Sequence, residues 1–204
     1  MKKVLVLGFA FCLLSLTAPS FGYSYFEMIG DNDGYGYGLA DNATLPATSH
    51  PSGNWFFDNR SAAEMAAANG AQFTDNEPTY VINALFSFAP FAATTYTTAM
   101  FTIDVAGIQT SSFGQSRLWF DGVEVAGAFA GVELGVWGSQ VFTFAIPVAT
   151  LTDGMLSVDY AGGSNDATAI DFVSIDIVAV PEPASMALLG LGLLGTGLVR
   201  KFKK

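Results

Sequence analysis

The sequence predicts an all-β fold, a β-sandwich or jelly roll with one short helix, set between two membrane-directed ends. Three observations carry the prediction. Between Tyr23 and Ala179 the chain is built of short apolar runs with period-two alternation. Clusters of Gly, Asp, Asn and Pro separate those runs and supply the turns. Each terminus carries an apolar run with a basic flank. The expected division is a signal peptide over 1–22, a β-sandwich domain over 23–179, and a tail over 180–204 with a transmembrane segment at 184–199.

Met1-Lys2-Lys3 followed by the apolar run Val4 to Leu14 reads as the charged and hydrophobic regions of a signal helix, and Ser20 and Gly22 place small residues before a cleavage point after Gly22. Cys12, the only cysteine, lies inside this run and would leave with it, so the mature chain would have no thiol for a disulfide or a metal. Phe11 before it excludes a lipoprotein signal.

In the domain, Asp31-Asn32-Asp33-Gly34 places hard oxygen ligands at a glycine-permitted turn, as the start of a calcium loop does. Asn42 stands where an EF-hand would need its bidentate glutamate, so an EF-hand is excluded. Two readings remain open: an oxygen cage for calcium that joins Asp31 or Asp33 to a distant carboxylate such as Asp171, and a polar turn in a Gly-Tyr loop. The stretch from Ala40 to Gly53, with Pro46 and Pro51, reads as a long loop. Ser61 and Glu64 form a capping-box pattern ahead of Met65-Ala66-Ala67-Ala68, and Asn69-Gly70 supplies a left-handed stop, which predicts the one helix.

Strands follow. Ile82, Ala84, Phe86 and Phe88 share one face of the first, and Ala99, Phe101, Ile103 and Val105 share one face of the next. Asp121-Gly122 between Arg117-Leu118-Trp119-Phe120 and Val123-Glu124-Val125 is the dipeptide of a two-residue hairpin, because both turn residues need positive φ. Phe142, Phe144 and Ile146 line one strand, and Leu156, Val158 and Tyr160 line the strand after Asp153-Gly154. The longest run, Ala169 to Val178, shifts its alternation midway, which predicts either a bulge or burial on both faces.

Charge narrows the function. Six of the eight basic residues sit at the two ends, leaving Arg60 and Arg117 against all eighteen acidic residues between Glu27 and Glu182. So acidic a surface repels phosphate backbones and excludes nucleic acid as a partner. His50 is the only histidine, in a predicted loop with no nucleophile elbow elsewhere, so neither a Ser-His-Asp triad nor a histidine metal cluster is expected. Paired carboxylates for glycoside hydrolysis are available, but Asp171 and Asp176 lie five apart on one strand and fall on opposite faces. Tyr35, Tyr37, Trp55, Trp119 and Trp137 could stack on sugar rings; Trp55 and Trp137, each beside Gly or Asn, are the expected contacts, whereas alternation sets Trp119 opposite Leu118 and Phe120.

At the C-terminus, Val180-Pro181-Glu182-Pro183 precedes the Gly-rich apolar run Ala184 to Val199 and the basic end Arg200-Lys201-Phe202-Lys203-Lys204. The prolines stop the preceding strand, and the cations would stay in the cytoplasm with the domain outside the inner membrane. This order of parts resembles the PEP-CTERM sorting signal of exopolysaccharide-producing Gram-negative bacteria. The resemblance implies that Pro181, Glu182 and Pro183 are recognised by exosortase, a membrane-embedded cysteine protease, and that the protein is held at the inner membrane before release to the cell surface or matrix. The Phe86-Ser87-Phe88 strand, the Leu118-to-Gly122 hairpin and the closing Ala169-to-Ile175 strand resemble non-catalytic carbohydrate-binding jelly rolls of the galactose-binding-like type. The expected function is therefore a non-enzymatic surface or matrix module with polysaccharide as a partner. The alternative is a secreted glycoside hydrolase using two carboxylates.

Overall fold

Eight strands account for the period-two runs: β1 (Ser24–Gly30), β2 (Asn83–Phe88), β3 (Tyr96–Ala106), β4 (Arg117–Phe120), β5 (Val123–Glu124), β6 (Ser139–Ala145), β7 (Leu156–Ala161) and β8 (Ala169–Ala179). They are seen in a computed structural model that describes residues 24–47, 61–75, 83–88, 90–91, 96–164, 166 and 168–179. The predicted signal helix, the tail with its transmembrane segment, His50 and Trp55 lie outside the described residues. Among the described residues no helix is long and apolar enough to cross a membrane.

The strands form two four-stranded sheets, ordered β1-β8-β3-β6 and β2-β7-β4-β5. The chain changes sheet at nearly every connection, so neighbours in space are distant in sequence. Alternation decides which side chains meet between the sheets. Ala84, Phe86 and Phe88 of β2, Leu118 and Phe120 of β4, and Leu156, Val158 and Tyr160 of β7 are buried while their neighbours along each strand are not. Opposite them lie Ala99, Phe101, Ile103 and Val105 of β3. Phe101 ties the sheets together, its ring 6.4 Å from Phe88 and 5.6 Å from Phe120, both edge to face. Phe129, in a loop, does the same at the β6 edge: it packs edge-on against Phe142, Phe144 and Tyr160 at 5.2, 5.4 and 5.7 Å. Each such ring contributes about 1.5–3 kcal/mol through removal from water.

The β4–β5 hairpin turns through Asp121 and Gly122 at φ 48° and 75°, and Phe120 pairs with Val123. Both turn residues are left-handed, as the two-residue connection demands. Trp119 is half-buried on the face opposite Leu118 and Phe120.

β8 is buried on both faces from Ala169 to Ile175, and exposure alternates only from Asp176 onward. Its pairing with β1 runs without a skipped residue from Ser24↔Val178 to Gly30↔Phe172, so against β1 the shifted alternation reflects burial on both faces. The second cover comes from the loop after β1, where Tyr35 and Leu45 pack with Ala106 and Ala169.

The helices depart from expectation. The capping box forms: Glu64 N–H donates to Ser61 Oγ at 3.3 Å and Ser61 N–H donates to Glu64 Oε2 at 2.7 Å. Yet α1 is one turn, Ala62–Met65, and does not reach Ala68. Ala62, Ala63, Ala66 and Ala68 are exposed, so these alanines add little burial to help propensity past costly nucleation. A second one-turn helix, α2 (Thr110–Phe113), was not expected, since Thr-Ser-Ser-Phe is a poor helix former. A distant carboxylate supports it, Glu133 Oε2 accepting from Ser111 N–H at 2.9 Å.

Candidate metal centre

Three chain segments meet at the end of the sheet where β1 finishes and β8 starts. The first is the loop after β1. Asp33 Oδ1 accepts from Gly36 N–H at 2.6 Å, and Gly38 N–H closes onto the Asp33 carbonyl at 2.7 Å, which curls the loop tightly. Gly34 and Tyr35 are successive left-handed residues, at φ 67° and 60°. Their N–H groups therefore point the same way, and both donate to the Asp171 carboxylate of β8, at 3.1 Å to Oδ2 and 3.0 Å to Oδ1. A Cβ on Gly34 would lie 2.4 Å from Leu39 N, so only glycine fits.

The third segment follows a 3-10 turn, Ala71–Phe73. Thr74 bridges to Ile170, and Asp75 N–H donates to the Ile170 carbonyl at 2.8 Å, which lays Asp75 beside Asp171. The result is four carboxylates, Asp31, Asp33, Asp75 and Asp171, each with an oxygen within 4.8 Å of the others. Asp75 and Asp171 are 4% and 0% exposed. Asp31 Oδ1 is buried with no hydrogen-bond donor among the described residues.

Among the described residues no basic side chain offsets the negative charge that accumulates here. Arg117 is the only basic side chain among the described residues, and it sits 3.8 Å from Glu124 across the hairpin. Burial, then the proximity of Asp31 and Asp171, pushes the Asp75 pKa far above the usual carboxylate range. Burial also raises Asp171, against the lowering effect of the Tyr35 and Gly34 N–H groups and of Asp75. Beneath the cluster, Asp104 of β3 accepts from the Tyr35 hydroxyl at 3.4 Å. Burial and the charges of Asp171 and Asp41 raise its pKa to about 7, the Tyr35 bond opposing them. The Tyr35 hydroxyl is itself held protonated, by burial first and by Asp104 and Asp171 next.

Four carboxylates at this spacing, one with a buried oxygen lacking a donor among the described residues, match the hard oxygen set that calcium takes. The repulsion that makes the cluster costly without an ion is what would make it bind one. Asp31 or Asp33 with Asp171 was one of the two readings the sequence left open, and the structure brings all three together with Asp75. Asp75 was missed. Its local sequence, a polar turn after a short helix, has no ligand spacing, and only the bridge to Ile170 brings it in.

Trp137 lies at this same end, half-buried. It packs against the cluster of Tyr35, Leu45, Ala106 and Ala169, with its carbonyl accepting from Leu45 N–H at 2.7 Å. Tyr35 is 1% exposed and offers no face to a sugar, because its ring fills the space between the loop and β8. Asp176 is exposed and Asp171 buried, which separates that pair as their spacing predicted.

No curated protein matches the chain. Residues 179–201, which begin with the last residue of β8 and include Pro181, Glu182 and Pro183, match the PEP-CTERM protein-sorting motif. The chain thus carries the signal of an exported protein that exosortase sorts to the cell envelope or surface.

Proposed function

We propose that this is a non-catalytic surface or exopolysaccharide-matrix module whose loop end is locked by a calcium ion held by Asp31, Asp33, Asp75 and Asp171. The convergence of four carboxylates from three segments, with Asp31 Oδ1 buried and lacking a donor among the described residues, carries the reading. A calcium ion there would cross-link the loop after β1, the Thr74–Asp75 segment and β8. The strand orders β1-β8-β3-β6 and β2-β7-β4-β5 are those of an eight-stranded jelly roll, an architecture that lectin domains use. In this reading polysaccharide is met at the loop end through Trp137, with Trp55 as the second aromatic. Hydrolysis is less well supported: Asp171 is fully buried with both oxygens engaged by backbone N–H groups, which leaves a sugar no approach.

The test is retention of the protein on the producer's own exopolysaccharide in calcium and in chelator, with reducing ends assayed in parallel. Retention in calcium, weakened by chelator and without new reducing ends, is expected. Absence of retention under both conditions contradicts the matrix reading, and release of reducing ends turns the assignment to a hydrolase.

A further inference from the structure

The sorting motif begins where the sheet ends. β8 runs through Ala179, so Val180 alone separates the last strand residue from Pro181-Glu182-Pro183. Over its final residues β8 is held from both sides. Val178 pairs with Ser24 and Ile177 with Tyr25 of β1, while Thr97 Oγ1 of β3 donates to the Val178 carbonyl at 2.9 Å. Ile177 is 0% exposed. A protease that reads an extended peptide pairs with main-chain groups of several residues around the scissile bond, as in strand addition. The residues upstream of this motif already have those groups and side chains committed to the sandwich. They cannot serve both partners at once.

We propose that the end of β8 is a latch on the sorting reaction. Processing at the Pro181–Pro183 motif proceeds from an open form in which Ile177 and Val178 have peeled away from Tyr25, Ser24 and Thr97. The rest of β8, including Asp171, stays docked between β1 and β3. Opening is confined to a strand end, where local unfolding is far cheaper than loss of the whole domain. The latch controls access to the peptide bond and leaves its chemistry to the sorting enzyme. It rests on the strand pairing and the motif alone, and stands or falls independently of calcium and polysaccharide.

The experiment is a pulse-chase of the full-length chain in its native producer, following conversion to the processed form. A flexible insertion of six Gly and Ser residues between Ala179 and Val180 frees the motif from the sheet and should speed conversion severalfold. Thr97→Val removes the clamp on Val178, and loss of one side-chain hydrogen bond should speed conversion by about two- to tenfold. Thr102→Val, which removes the hydroxyl contact to Thr143 at 3.2 Å in the middle of the same sheet, should leave the rate unchanged. An insertion that leaves the rate unaltered or slows it overturns the latch. So does a Thr102→Val chain converted as fast as Thr97→Val, since that would place the effect in global stability. If Thr97→Val fails to accumulate, the insertion, which alters no residue of the fold, still decides.

Discussion

Asp75→Asn keeps the shape of a cluster side chain and removes its charge, so it separates the metal role of the site from its structural role. Like charges 4.8 Å apart repel by about 3 kcal/mol per pair at an effective dielectric near 20. That repulsion, added to burial, pushes the Asp75 pKa far above the usual carboxylate range in the calcium-free protein. Asparagine stands in for the protonated acid, and the calcium-free variant should melt within about 2 °C of wild type. With calcium the two part company. An ion at a hundredfold excess over its dissociation constant stabilises the wild type by about 2.7 kcal/mol, which for a domain of this size is roughly 5–10 °C. The variant presents three charges in place of four and a neutral amide as its fourth ligand, and should lose most of that gain. Circular dichroism melts of both proteins, in millimolar calcium and in chelator, give the four temperatures needed. A variant that keeps the full calcium shift, or a wild type with none, refutes the reasoning.

Further outcomes follow from the same geometry. Asp75, Asp104 and Asp171 all hold protons more tightly folded than unfolded, so without calcium the native state binds more protons than the unfolded chain above the ordinary carboxylate range. Stability in chelator should therefore fall as pH rises from about 4 through the Asp104 value of about 7, and calcium should flatten that fall; a chelated melting temperature that rises over this range contradicts the assigned shifts. Gly34→Ala places a Cβ 2.4 Å from Leu39 N at φ 67°, and should cost more than about 2 kcal/mol and blunt the calcium response, as read by urea unfolding. Trp137→Ala should weaken retention on polysaccharide while the far-ultraviolet spectrum stays native; loss of the fold would return Trp137 to a purely packing role.

Much of this was legible in the sequence because the physics was local. Alternation named the buried faces of β2, β4 and β7, since each of those strands has one face on the core, and of β3 as far as Ile103, after which Asp104 and Ala106 are buried on the other face as well. The Asp121-Gly122 turn was readable because two positive φ angles in succession restrict residue choice. β8 resisted a single reading because its second face is covered by a loop some 130 positions earlier in the chain. The sequence could offer Asp31 and Asp33 because a Gly-bounded acidic turn resembles the start of a ligand loop, whereas their meeting with Asp171 depends on the fold. Asp75 was not, for its place depends on one backbone bond to Ile170. The one-turn helices failed for the converse reason: α1 had alanine propensity with its alanines left exposed, and α2 had a distant cap without propensity.

An exported module that is trimmed at its sorting motif and holds a structural calcium ion carries both features in its mass. Native mass spectrometry of the protein recovered from its producer reads both parts in one spectrum. The account predicts a chain ending near Glu182, without the apolar run and the basic end, and bearing a single calcium ion that chelator or acid removes. A chain that keeps Lys204, or a trimmed chain that carries no calcium when sprayed from millimolar calcium, contradicts it.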